Sequence, residues 1–238
     1  MKTRDLILIA FYAALFVVLD VFAIFPSMPQ GGSLDVAVIV LVIASYHLGV
    51  KKAFLTALVS IVIKLLFLHP TLLASDNVFY VILQVLLDYV FAYTVYAFCS
   101  LIPVQVIRYK RTLYLIDGLG LIILAGTFLL VSQSEQTNIF WSLVILGIFL
   151  IISGIVYQLT FSKGQSIALW GIVLATFIRF MFHNLSGWLF YISYYQGNEF
   201  WGVILYNASY MIPNLVFSLV IGTILWTYLH RFFKKTAV

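Results

Sequence analysis

Asp88 stands in the stretch Leu83-Gln84-Val85-Leu86-Leu87-Asp88-Tyr89, inside an apolar run from about Val78 to Leu101. A carboxylate near the middle of a membrane-spanning helix costs about 2.5–3.5 kcal/mol on insertion scales. Asp88 is therefore expected to face a partner or a wet cavity. Gln84 lies one turn earlier on the same helical face, and Tyr89 flanks it. These three residues suit a cationic or amine-bearing ligand. A structural ion pair between Asp88 and Lys64 or Arg179 explains the same carboxylate equally well.

A second constellation shares this polar character. Arg179, His183, Gly187 and Tyr191 recur every four residues and so share one helix face. An isolated intramembrane histidine is often a hydrogen-bonded packing residue, but Gly187 on the same face lets a ligand or a neighbouring helix approach closely. Asn207, beside Tyr206, offers directional hydrogen bonds to a ligand or to an adjacent helix. Tyr191, Tyr194, Tyr195, Phe200 and Trp201 cluster at helix ends. Most of them are expected to form an interfacial belt, with one or two free to stack on a flat ligand or hold a cation over a ring.

The elements that must position these residues follow from composition. Of 238 residues, 64% are hydrophobic and 9% charged, against about 25% charged in a soluble domain. The pattern predicts a polytopic, all-α integral membrane protein. Eight spans are expected: about Leu6–Phe25, Leu34–Val50, Ala53–Leu68, Val78–Leu101, Leu113–Val131, Ile139–Phe161, Ile167–Tyr191 and Phe200–Leu229. The first apolar run follows the N-terminus without a small-residue cleavage motif and reads as a helix, not a signal peptide.

A net charge of +5 would suggest nucleic acid in a soluble protein. Here Lys2/Arg4, Lys51/Lys52, Arg108/Lys110/Arg111, Lys163 and Arg231/Lys234/Lys235 all fall on one side of eight crossings, while Asp76, Glu135 and Glu199 mark the other. The bias reflects membrane orientation and places both termini in the cytoplasm of a multi-pass plasma-membrane protein, with no nucleic-acid partner. The polar groups Lys64, Asp88, His183, Asn184 and Asn207 then cluster in the outer half of the bilayer, as an externally open binding site would.

The single Cys99 excludes an internal disulfide and a cysteine-cluster metal site. No metal or cofactor is expected. There is no G-x-x-x-x-G-K-[ST] loop, no H-E-x-x-H and no G-x-S-x-G elbow. Uphill movement of a solute would need another subunit or an ion gradient.

Five stretches in order carry a family resemblance: Ile9-Ala10-Phe11-Tyr12-Ala13-Ala14-Leu15, Pro29-Gln30-Gly31-Gly32-Ser33, Gln84-x-x-Leu87-Asp88-Tyr89, Arg179-Phe180-Met181-Phe182-His183-x-x-Ser186-Gly187, and Tyr206-Asn207-Ala208-Ser209-Tyr210-Met211. On these the chain resembles the thiamine-specific S components (ThiT/YuaJ family) of energy-coupling factor (ECF) transporters. The resemblance implies a six-helix substrate-binding bundle with no ATPase or other enzymatic activity of its own. Its partners would be a transmembrane coupling protein and two cytoplasmic ABC-type ATPases.

By the same resemblance, Ala10 and Ala14 look like the docking motif for the coupling protein, and Pro29–Ser33 is similar to the external lid loop. Asp88 takes the place of the pocket carboxylate, usually Glu, with Tyr89 beside it. His183 and Asn207 match the pocket histidine and asparagine. The substrate-binding set is then Gln84, Asp88, Tyr89, His183, Gly187, Tyr191, Asn207 and Lys64. Three positions differ from the family pattern: Lys64 falls where the wall is uncharged, Tyr191 replaces a tryptophan, and Gly202 stands where a tyrosine is often found. Residues 112–163 have no counterpart and read as an inserted two-helix hairpin, between helices 1–4 (1–111) and the last two helices (164–238).

The ligand implied is thiamine or a related compound. A carboxylate and an amide suit the aminopyrimidine edge, and aromatic faces suit the thiazolium cation. Three other readings are compatible with the residues. One is an S component for another vitamin or heterocyclic precursor. Another is an intramembrane enzyme using Asp88 and His183 as acid and base. The last is an assembly protein with a purely structural polar core.

Overall fold

The computed structural model describes residues 1–21, 32–33, 35–67, 77–107, 165–167, 169–195 and 199–235. The expected hairpin at 112–163 and the lid residues Pro29, Gln30 and Gly31 lie outside them.

Helix α1 (Thr3–Val21) buries Ile9, Tyr12, Ala13 and Phe16 and leaves an apolar opposite face exposed. Helix α2 (Val38–Leu48) is buried continuously from Val38 to Ser45, because its sequence is apolar all round and suits only the centre of a bundle. Its 11 residues rise about 16 Å, roughly half a bilayer core. Gly49, at φ 78°, then stops the helix, and its N–H donates back to the Ser45 carbonyl at 3.0 Å. A side chain would be strained at that φ.

Helix α3 (Val50–Phe67) starts directly after this break, so Lys51 and Lys52 belong to its first turn and not to a loop. Two ion pairs join it to α1, Lys52 Nζ to Asp5 Oδ1 at 2.7 Å and Lys64 Nζ to Asp20 Oδ1 at 2.6 Å. Pairing start with start and end with end makes the two helices parallel, as the single intervening pass of α2 requires.

Helix α4 (Val78–Leu101) is capped by the Asn77 side chain, which accepts from Phe79 N–H at 3.0 Å. It departs from α geometry twice, as a π-helical stretch over Val85–Phe91 and a 3₁₀ stretch over Val95–Leu101. Strands β1 (Gln105–Ile107) and β2 (Gln165–Ile167) then pair antiparallel, Gln105 opposite Ile167. The described elements are otherwise helical, as expected, and this three-residue ladder is the departure from all-α among them. Helix α5 begins as Leu169–Ser186, two residues later than the expected span, because Ile167 belongs to β2. It continues as a π-helical turn, Gly187–Tyr191, and a 3₁₀ turn, Ile192–Tyr194. Helix α6 (Glu199–Lys235) contains Pro213.

Three of these helices are long and apolar enough to cross a membrane: Val78–Leu101, Trp170–Tyr194 and Glu199–Trp226. The main core packs Phe16, the α2 residues 38–44, Ile61, Tyr93, Tyr96 and Ile172 together. Large apolar side chains such as Ile7, Phe11, Leu66, Phe79 and Leu205 face outward, as lipid contact requires.

Candidate functional site

The two π-helical stretches carry the site. A π turn adds a residue to the helical repeat and re-aims the side chains around it, a feature frequent at functional sites. In α4 that stretch holds Asp88, and in α5 the π turn begins at Gly187, immediately after Ser186. Asp88 Oδ1 lies 3.1 Å from His183 Nδ1, and Ser186 Oγ donates to Asp88 Oδ2 at 2.6 Å. The acid and the histidine singled out from sequence thus meet directly. Ser186 joins them because it lies three residues after His183 on the same helix.

The proton on His183 can be placed by its other neighbour. Arg179 Nε donates to His183 Nε2 at 3.3 Å. A guanidinium has no acceptor, so Nε2 must offer its lone pair and the ring proton sits on Nδ1. His183 is then a neutral imidazole that donates to Asp88. Arg179 in turn is held by Asp35 Oδ2, 3.2 Å from its Nη2, with both side chains almost fully buried. The guanidinium also lies over the Tyr93 ring, 4.4 Å from its centre. Among the described residues Nη1 has no hydrogen-bond partner.

Lys64 takes a different partner from the one weighed at the sequence level. Its Nζ pairs with Asp20 and donates to Tyr93 OH at 3.1 Å. Asp20 and Asp35 were not singled out from sequence. Each is a carboxylate near the end of an apolar run, and the search for partners of Lys64 and Arg179 is the signal that would have found them.

The consequence is electrostatic. Among the described residues of this layer stand two cations, Lys64 and Arg179, each already paired with its own aspartate. Asp88 is the third carboxylate, and its companions His183 and Ser186 are neutral. Among the described residues the layer therefore holds one more carboxylate than cation.

The remaining expected site residues surround this pair. Gln84, fully buried, donates through Nε2 to Tyr191 OH at 2.7 Å, tying α4 to α5. Tyr89 is half-buried and packs on the main core. Asn207 Nδ2 donates to Asn184 Oδ1 at 3.1 Å, while its Oδ1 accepts from Tyr210 OH at 2.7 Å. Gly187 serves helix contact: a Cβ there would meet Val203 Cγ1 at 2.5 Å and Asn207 Nδ2 at 3.4 Å. Ala10 and Ala14 are exposed on α1, away from this layer.

The chain leading into α2 is fastened to α6 beside the site. Gly32 N–H donates to Tyr206 OH at 3.0 Å, Asp35 N–H to Asn214 Oδ1 at 2.6 Å, and Asn214 Nδ2 to the Ser33 carbonyl at 2.9 Å. Edge-to-face and tilted rings continue outward from His183: Tyr210 at 6.1 Å, then Tyr206 at 5.7 Å, then Tyr195 at 6.1 Å. Burial holds the Tyr195 phenol up at about 12, so it stays neutral. Tyr194, Phe200 and Trp201 are well exposed, as the interfacial belt expects.

Comparison with known proteins bears on the family and the fold. The model of the thiamine transporter protein family matches residues 6–234. A solved structure of ThiT from Listeria monocytogenes superposes with a TM-score of 0.59 at 16% identity, covering 97% of each chain. It shares the fold. No curated protein sequence matches this chain.

Proposed function

Because the chain belongs to the thiamine transporter protein family, we propose that it is the substrate-binding S component of an ECF-type importer. It binds thiamine from the outer side and delivers it inward, with energy from partner subunits. The observation that carries this reading is the uncompensated Asp88. A thiazolium cation supplies the positive charge that His183 and Ser186 do not, and a charge-assisted contact in such a site is stronger than a neutral one.

The pairing of Lys64 with Asp20 removes the repulsion that a free ammonium would exert on that cation. Lys64 then acts by balancing charge in the wall. Gln84, Tyr89, Tyr191 and Asn207 frame the ligand, and Gly187 sets how closely α5 and α6 approach. His183 fixes the orientation of the Asp88 carboxylate. As a member of a transporter family the protein is not an enzyme, and the acid–histidine pair works in binding.

Partner contact is assigned to the exposed face of α1. Ala10 and Ala14 lie there beside exposed Ile7, Phe11 and Val18, a small-x-x-x-small surface suited to close helix packing. A coupling membrane protein and two ABC-type ATPases would dock from this face and from the lysine-rich end, which we assign to the cytoplasm together with both termini.

Membrane vesicles bearing the protein should bind labelled thiamine saturably at low concentration. Absence of binding across pH 6–8 would reject thiamine. Competition by a panel of other heterocycles, with one of them displacing thiamine at lower concentration, would instead assign a different natural ligand.

A further inference from the structure

Tyr195 and Gly202 face each other across the junction between α5 and α6. A Cβ on Gly202 would lie 2.7 Å from Tyr195 Cβ and 2.8 Å from both its Cγ and Cδ1. The tyrosine therefore seats directly on the glycine backbone, a position any larger residue at 202 would deny it. On the other flank of the same junction Trp188 stacks on Phe200, with ring centres 5.0 Å apart and planes 7° from parallel. Trp188 Nε1 also donates to the Phe200 carbonyl at 3.3 Å. The contact at Gly202 leaves the Tyr195 ring beside Tyr206, with ring centres 6.1 Å apart.

That orientation has a chemical consequence. Tyr195, Tyr206, Tyr210 and His183 form an unbroken series of ring contacts that ends at Asp88. Ring faces attract cations, and a short aromatic series that ends at a carboxylate held only by neutral partners is suited to an organic cation with a flat body. Tyr194, the adjacent residue, is 66% exposed and outside the series.

We propose that Tyr195, seated on Gly202, is a ligand-contacting specificity residue whose ring supplies the outermost aromatic face of the cation site at Asp88. The role rests on the thiamine-binding reading above. Gly202 is the positioning residue that admits the ring.

The test is equilibrium binding of thiamine to the purified full-length protein in detergent, by calorimetry. The variants are Tyr195→Ala, Tyr195→Phe, Gly202→Ala, Tyr195→Ala with Gly202→Ala, and Tyr194→Ala. Tyr195→Ala and Gly202→Ala should each weaken binding about tenfold, from loss of a cation–ring contact. Tyr195→Phe should restore it to within about twofold of the native chain, since only the ring is required. The double variant should be no weaker than about threefold below the singles, because both remove one contact. The unfolding temperature of ligand-free Tyr195→Ala should match that of Tyr194→Ala, which a merely structural tyrosine would not give. Native protein that binds thiamine while Tyr195→Ala binds as well as Tyr194→Ala would overturn the role of Tyr195 alone. Native protein that binds no thiamine would overturn the function and this role with it.

Discussion

His183 Nδ1 lies 3.1 Å from Asp88 Oδ1, and the opposite nitrogen of the same ring accepts from Arg179. One imidazole therefore links the acid in α4 to the buried Arg179–Asp35 pair, and that pair reaches the residues that lead into α2. Among the described residues of this polar layer, the cations Arg179 and Lys64 are each already paired with an aspartate.

Arg179 and Asp35 should be far more sensitive to single than to paired replacement. Removing one partner of a buried ion pair strands the other, at about 3–5 kcal/mol. Arg179→Met alone should lower the unfolding temperature in detergent markedly. Arg179→Met with Asp35→Leu should recover most of the loss, and thermal unfolding of the three proteins measures it.

Lys64 and Asp20 form a separate unit, and thiamine affinity should follow the charge of that unit. Lys64→Met alone leaves the Asp20 carboxylate without its cation and should lower stability. Lys64→Met with Asp20→Leu keeps the layer's charge and should hold thiamine affinity within about threefold of native, as expected of a pair whose members compensate each other. Loss of binding in that double variant would mean that Lys64 itself touches the ligand.

Gly187→Ala should separate helix packing from ligand contact. The added methyl would sit 2.5 Å from Val203 Cγ1, an overpacking that costs about 1–3 kcal/mol. Gly187→Ala with Val203→Ala should regain stability in the same unfolding assay, because the second change makes room.

Much of this site was legible in the sequence because a polar residue inside an apolar run is costly and must be explained. Asp88, Gln84, His183 and Asn207 announced themselves in that way. Asp20 and Asp35 did not, since a carboxylate near the end of a run resembles a loop residue until the helices are assembled. Which cation chose which carboxylate was likewise a matter of helix neighbours, and only the parallel placement of α1 and α3 put Lys64 on Asp20. The π-helical stretches over Val85–Phe91 and Gly187–Tyr191 left no mark on the hydrophobic pattern. Three of the described helices are long and apolar enough to be the spans expected of them, and α2 is shorter than its apolar run because residues 36–37 form a turn before it. The contact between Tyr195 and Gly202 joins the end of α5 to the first turn of α6, and no spacing rule could reveal it.

The claim that a bound cation completes the charge at Asp88 is tested most directly by calorimetric titration of thiamine into native protein and into Asp88→Asn. The amide keeps the shape and removes the charge. Loss of a charge-assisted contact worth about 1.5–3 kcal/mol should weaken binding about 10- to 100-fold, while Asp5→Asn, at the Lys52 pair on the far end of α1, should change nothing. Equal affinity in native protein and Asp88→Asn would contradict the account.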